Sequence, residues 1–304
     1  MIRKLSWNDP RVVLGCVHLL CVCTVVTTLT TFFSVGHKVR EVCEIIKEST
    51  LYRSLKVNRD KICLDRLPTI SYTGVLLPEQ GIFAVGLSLA ALGSFRAFDL
   101  ITRTQINCIE RYCDLEKKTS AAILVAAPPL FGVFKGLFSC LWWSSGRSAD
   151  TKLTLADLCA MTKRVGQISS FWMLPTACVS MKHSIMIHGL SAFFFFSFAC
   201  VHVCCSYAIQ HNLIAHGIVA HDHFDRSSRI KEVVLMCAAL LAAVGAAVYL
   251  SLRFTEYHLY LYTLGGALGQ YTTVVWLMCG FSTYYVDLTV LMNQSESKQQ
   301  EIEL

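Results

Sequence analysis

Charge is scarce in this chain. Of its 304 residues only 16% are Asp, Glu, Lys or Arg, against about 25% in a soluble domain. That scarcity excludes an intrinsically disordered chain, which needs low hydrophobicity and high charge. It also excludes a nucleic-acid-binding domain, which needs a dense basic face. Proline is rare as well, with 6 residues in the whole chain. Several motifs are missing: the Gly-x-Ser-x-Gly elbow, the Walker loop and the dinucleotide fingerprint. A His-x-x-x-x-Asp acyltransferase motif and the histidine boxes of desaturases and hydroxylases are absent too. An ordinary soluble enzyme is therefore excluded. No motif requires a cofactor or a metal, and none is expected.

What the chain has is apolar sequence: 54% of residues, with a mean hydropathy of +0.50. At about 20 residues per spanning helix, this reads as a multi-pass membrane protein. The fifteen cysteines do not form a disulfide framework. Most lie inside apolar runs, where cysteine behaves as a small hydrophobe, and no Cys-x-x-Cys pair occurs. Cys43 and Cys63 differ, since both lie in one polar segment. They bridge if that segment faces an oxidising lumen and stay free if it does not.

The apolar runs are 12–35, 81–101, 165–181, 185–208, 233–252 and 262–285, with a further run at 121–143 that carries Pro128, Pro129 and Lys135. Between them lie polar segments at 37–78, 104–164 and 209–231. Six crossings with both termini cytosolic put sixteen basic residues on the cytosolic side, and seven crossings with the N-terminus outside also put sixteen there, drawn from different segments. The positive-inside rule does not choose between them.

Three features carry ionisable chemistry. Arg96 lies inside the second run with Asp99 at i+3 on the same helical face. This is either a local pair near the interface or a guanidinium fork for a lipid phosphate. His188 and His202 are 14 residues apart on one face, about 21 Å at 1.5 Å per residue. They cannot act on one atom. Each either hydrogen-bonds a neighbouring helix or serves a site, and His188, nearer the membrane surface, is the better candidate for acid–base work. Third, His221 and His223 stand with Asp222 and Asp225 in the 209–231 segment, which reads as a solvated loop rather than a metal site.

A family resemblance breaks the tie in topology. The stretch Cys63-Leu64-Asp65-Arg66-Leu67-Pro68-Thr69-Ile70-Ser71, then Gly74, then Pro78-Glu79, resembles the first luminal loop of the superfamily of FGF-receptor-activating protein and damage-regulated autophagy modulators. His188-Gly189-Leu190-Ser191-Ala192 with His202 is similar to helix four of its GPI-anchor-remodelling branch. So is Gln270-Tyr271-Thr272-Thr273-Val274-Val275 with the ending Tyr284-Tyr285-Val286-Asp287. Gln270 and Gly189 stand where that branch carries glutamate.

The resemblance implies an all-α, six-transmembrane-helix bundle with cytosolic termini, a luminal loop at 37–78, and a cytosolic segment 104–164. The run 121–143 then becomes a re-entrant or interfacial insertion between helices two and three. It further implies a Golgi membrane protein, present also in the endoplasmic reticulum membrane, that restores an acyl chain to lyso-GPI anchors. Its partners would be membrane lipids and GPI-anchored proteins, with Arg96, His188, His202, Gln270 and Tyr271 against lipid. Whether such a chain transfers the acyl group or assists another enzyme stays open. A regulatory membrane scaffold, of the autophagy-modulating or kinase-recruiting kind, is the alternative.

Overall fold

The computed structural model describes residues 8–34, 74–115, 123–125, 153–251 and 256–303. Cys43, Cys63 and most of the segments 37–78 and 121–143 lie outside the described residues. Among the described residues six α-helices follow in chain order: α1 Pro10–Ser34, α2 Glu79–Leu115, α3 Leu155–Cys178, α4 Ile185–Ala215, α5 His221–Ser251 and α6 Glu256–Glu303. No strand occurs among the described residues; Leu124 and Thr154 form an isolated antiparallel bridge. The protein is thus an all-helical polytopic membrane protein. Among the described residues, four stretches are long and apolar enough to span a bilayer: Pro10–Ser34, Glu79–Asp114, Met186–Ala215 and Gly269–Asn293.

The helices outrun the apolar stretches that announce them. α2 continues 14 residues beyond Ile101, and α3 starts ten residues before Val165. The segment 209–231, expected as a loop, shrinks to the connection 216–220, because α4 extends to Ala215 and α5 begins at His221. Apolar length measures membrane depth, whereas helices continue into water wherever side chains still pack. Cap chemistry marks the true ends. Thr154 Oγ1 accepts from Asp157 N at 3.2 Å, and Ser184 Oγ accepts from Ile187 N at 3.3 Å, as N-caps do. Gly217, at φ 68°, closes α4, with Ile218 N donating to Leu213 O at 2.9 Å, the left-handed stop that glycine makes easily.

Small residues bring the helices close, as they do where lipid removes the hydrophobic drive for association. α1 packs antiparallel on α2, with Thr24 against Gly86 and Val17 against Gly93. α3 meets α4 where Gly166 faces the His202 ring. α5 meets α6 where Val234 lies over Gly280. Leu14 of α1 clusters with Tyr284 and Leu288 of α6, so the start of α1 and the Tyr284–Leu288 stretch of α6 lie at one end of the bundle, here the proximal end. Ser34, Glu79 and Cys178 lie at the other, distal end. Outward faces are apolar: Leu19, Leu92, Phe171, Leu190 and Phe193 are all exposed, as lipid-facing side chains must be.

Candidate functional site

The proximal half of the bundle contains a buried polar chain that links α3 to α6. His202 sits on α4 and is fully enclosed. Its Nδ1 is 2.9 Å from the carbonyl of Thr162 on α3, and its Nε2 is 2.8 Å from the Tyr284 hydroxyl on α6. A carbonyl only accepts, so Nδ1 carries the proton and Tyr284 donates to Nε2. The Lys231 ammonium lies 5.1 Å from the centre of the Tyr284 ring and pairs with Asp287 Oδ2. Asp287 Oδ1 accepts from Ser227 and from Gln210 Nε2 at 2.8 Å. Gln210 also donates to Ser227 at 2.9 Å. Lys231 has no exposed side-chain surface. A buried charge of this kind persists only when paired and hydrogen-bonded, and Asp287 supplies both.

Above this network lies an apolar cavity of about 470 Å³, bounded by α1, α2, α3, α4 and α6. Phe98 and Phe281 line it and also cover His202, with ring centroids 4.4 Å and 5.9 Å from the imidazole. The two aromatic rings therefore separate the cavity from the polar chain. Gln270 lines the distal part of the cavity. Tyr271, its neighbour on α6, is half-buried and is not part of the lining.

At the distal end, His188 occupies the first turn of α4 and is almost fully buried. Its Nδ1 lies 2.8 Å from the Val179 carbonyl, and its Nε2 has no hydrogen-bond partner among the described residues. Here too the carbonyl fixes the proton on Nδ1, which leaves the Nε2 lone pair uncommitted. His188 and His202 are thus separate in place and in role, one anchored at both nitrogens and the other at one.

Arg96, on α2, stands at the proximal end beside Asn8, which precedes α1. Its guanidinium is 3.5 Å from Asp99 and 3.2 Å from the Asn8 side-chain oxygen. Asp99 also takes Arg103 at 2.9 Å and Lys163 at 3.4 Å. Three cations around one carboxylate leave this patch positive. It is far from His188, so the proposed lipid-facing residues fall into a proximal and a distal group. The histidines of the former loop are placed on helices. His221 and His223 are exposed at the start of α5, and His216 caps α4, its Nε2 2.9 Å from the Leu124 carbonyl.

Sequence reading missed Lys231, Gln210 and Ser227. The available signal was a lysine placed two residues before an apolar run, where a solvated flank is the ordinary expectation. Asp287 was noticed only as part of a terminal motif.

No curated protein and no solved structure matches the chain. A family model does: the Frag1/DRAM/Sfk1/Cwh43P N-terminal domain, over residues 16–290. That span takes in most of each helix that bounds the cavity and every residue of the polar chain, and the protein belongs to this family of membrane proteins.

Proposed function

We propose that the protein acts in the lipid remodelling of GPI anchors, at the step that returns a saturated acyl chain to the lyso form, in Golgi and endoplasmic reticulum membranes. The observation that carries this reading is His188. Its ring is held by the Val179 carbonyl at one nitrogen, while the other has no partner among the described residues, the arrangement a general base or a headgroup contact needs. It lies at the distal end, which is luminal if both termini are cytosolic. Clustering of Leu14 with Leu288 supports an even number of crossings. The Leu124–Thr154 bridge joins Leu124 to the start of α3 at the proximal end. Arg96, beside Asp99, would meet lipid phosphate at the opposite surface, where a guanidinium fork suits the geometry.

The test is genetic and chemical together. Cells lacking the gene should release GPI-anchored proteins from their surface and accumulate the lyso form. Normal surface levels would refute the reading. Purified protein given lyso-GPI and an acyl donor then separates a transferase from a factor that serves one. A scaffold of the kinase-recruiting kind would leave surface levels normal and sit at the lysosome or plasma membrane.

A further inference from the structure

The pocket of about 470 Å³ among five helices opens outward beside the exposed Val22, Val26 and Val275, toward the lipid that surrounds a membrane protein, and its walls say what kind of occupant it takes. Most of the lining is aliphatic or aromatic. The hydroxyls that line it are already committed. Ser94, Ser170, Thr176 and Ser282 each donate to a carbonyl of their own helix. Ser169 donates to the Phe195 carbonyl across the α3–α4 contact at 3.0 Å. His18 sits 3.0 Å from the Met278 carbonyl and 3.1 Å from Ser282. With these groups satisfied within the protein, the cavity offers water little to bind, and apolar cavities stay dry until an apolar ligand fills them.

The shape narrows the choice. Along α1 the lining runs from Leu14 to Val26, about 18 Å at 1.5 Å per residue. A pocket of this volume drawn out over that length is elongated, as an extended hydrocarbon chain is. The proximal end is closed by Phe98 and Phe281, whose far faces cover His202. The distal end reaches Thr176 and Gln270, and the Thr176 backbone also lies against the His188 ring.

We infer that the cavity is a binding slot for a single acyl chain of a membrane lipid, with its terminal methyl against Phe98 and Phe281 and its ester end beside Gln270 and His188. The inference rests on the lipid-remodelling reading only in assigning the ester end to His188. The slot itself would take a chain from any glycerolipid.

The test uses the full-length protein in nanodiscs of phosphatidylcholine that carries a diazirine at the terminal carbon of one acyl chain. After irradiation, labelled residues are mapped by mass spectrometry. Label is expected on peptides containing Phe98, Phe281 and Met173, in addition to the lipid-facing Leu190 and Phe193. Val274→Trp and Val25→Trp, which fill the slot from its α6 and α1 walls, should lose the interior label and keep the exterior one. Retained exterior label with an unchanged elution profile shows that a variant has folded. As a second measurement on the unaltered protein, unlabelled phosphatidylcholine should displace the interior label and cholesterol should not. Label confined to Leu190 and Phe193, or displacement by cholesterol alone, would overturn the inference. Interior label together with normal surface GPI-anchored proteins in cells lacking the gene would keep the slot and discard the GPI reading. Absent interior label with released GPI-anchored proteins would do the reverse.

Discussion

The ammonium of Lys231 on α5 lies against the Asp287 carboxylate on α6, and neither side chain reaches solvent to any useful extent. Removing one partner strands the other charge in an apolar surround. Lys231→Met should therefore cost about 3–5 kcal/mol, as broken buried pairs do. Lys231→Met combined with Asp287→Leu should recover most of that loss, because apolar side chains of similar volume can replace a buried pair at little cost. Thermal unfolding in detergent measures both. Equal losses in the single and double variants would mean that the charges matter only through the space they fill.

Tyr284 couples this pair to His202. Tyr284→Phe keeps the ring beneath Lys231 but removes the donor 2.8 Å from His202 Nε2, leaving a buried acceptor unmet at a cost of about 1–3 kcal/mol. Glycine substitutions probe the same place from the other side. A Cβ on Gly166 would lie 2.8 Å from the Phe98 ring and 2.9 Å from His202 Nδ1, so Gly166→Ala should destabilise by about 1–3 kcal/mol through overpacking. Gly189, on the same bundle, has nothing within 4 Å of its would-be Cβ. Gly189→Ala should be neutral or gain up to about 1 kcal/mol from helix propensity. The opposite ordering of the two melting temperatures would contradict the described contact between α3 and α4.

Much of this bundle is legible in one dimension because the bilayer sets a length. The runs 12–35 and 185–208 lie almost wholly within α1 and α4, since a spanning helix must be apolar over its whole depth. Helix ends are not legible in that way. Thr154 and Ser184 are capping residues, but they stand outside or between the apolar runs, in segments that read as loops. The polar chain is harder still. Lys231 and Asp287 are 56 residues apart, each just outside an apolar run, and only the antiparallel packing of α5 and α6 makes them neighbours. His202 could be read as a buried histidine on the face of His188. Its partners Thr162 and Tyr284 come from two other helices, and no spacing rule connects the three.

Arg96 should prove unimportant for stability. Its side chain is 47% exposed and shares Asp99 with Arg103 and Lys163. Exposed ion pairs contribute about 0–1 kcal/mol, so Arg96→Ala should shift the melting temperature little. If the arginine serves lipid phosphate, the same variant should weaken binding to anionic vesicles, and high salt should mimic the substitution. A large loss of stability would mark Arg96 as a structural brace instead.

The topology has a direct chemical test in the tail. Asn293-Gln294-Ser295 is a glycosylation sequon near the end of α6. With cytosolic termini it stays unmodified, and sequons inserted into the segment 37–78 should acquire glycans. A mobility shift on glycosidase treatment of the native chain would place the C-terminus in the lumen. It would then also move His188 to the cytosolic face, because α4 begins at the end opposite to Leu288.

His188→Asn separates the anchor from the base. An asparagine amide can still donate toward the Val179 carbonyl, which His188 Nδ1 now reaches at 2.8 Å, so the first turn of α4 should stay folded. It offers no basic nitrogen where Nε2 stands without a partner among the described residues. If His188 serves as a general base, His188→Asn should fail to restore surface GPI-anchored proteins to cells lacking the gene while reaching normal abundance. The expected loss is of the order of 10²–10⁴ in rate where proton transfer limits the step. His188→Ala should lose both, since it also leaves the Val179 carbonyl without its imidazole partner. Full rescue by His188→Asn would leave the imidazole a purely structural part, a strap from α4 to the end of α3, and the acid–base assignment would fall.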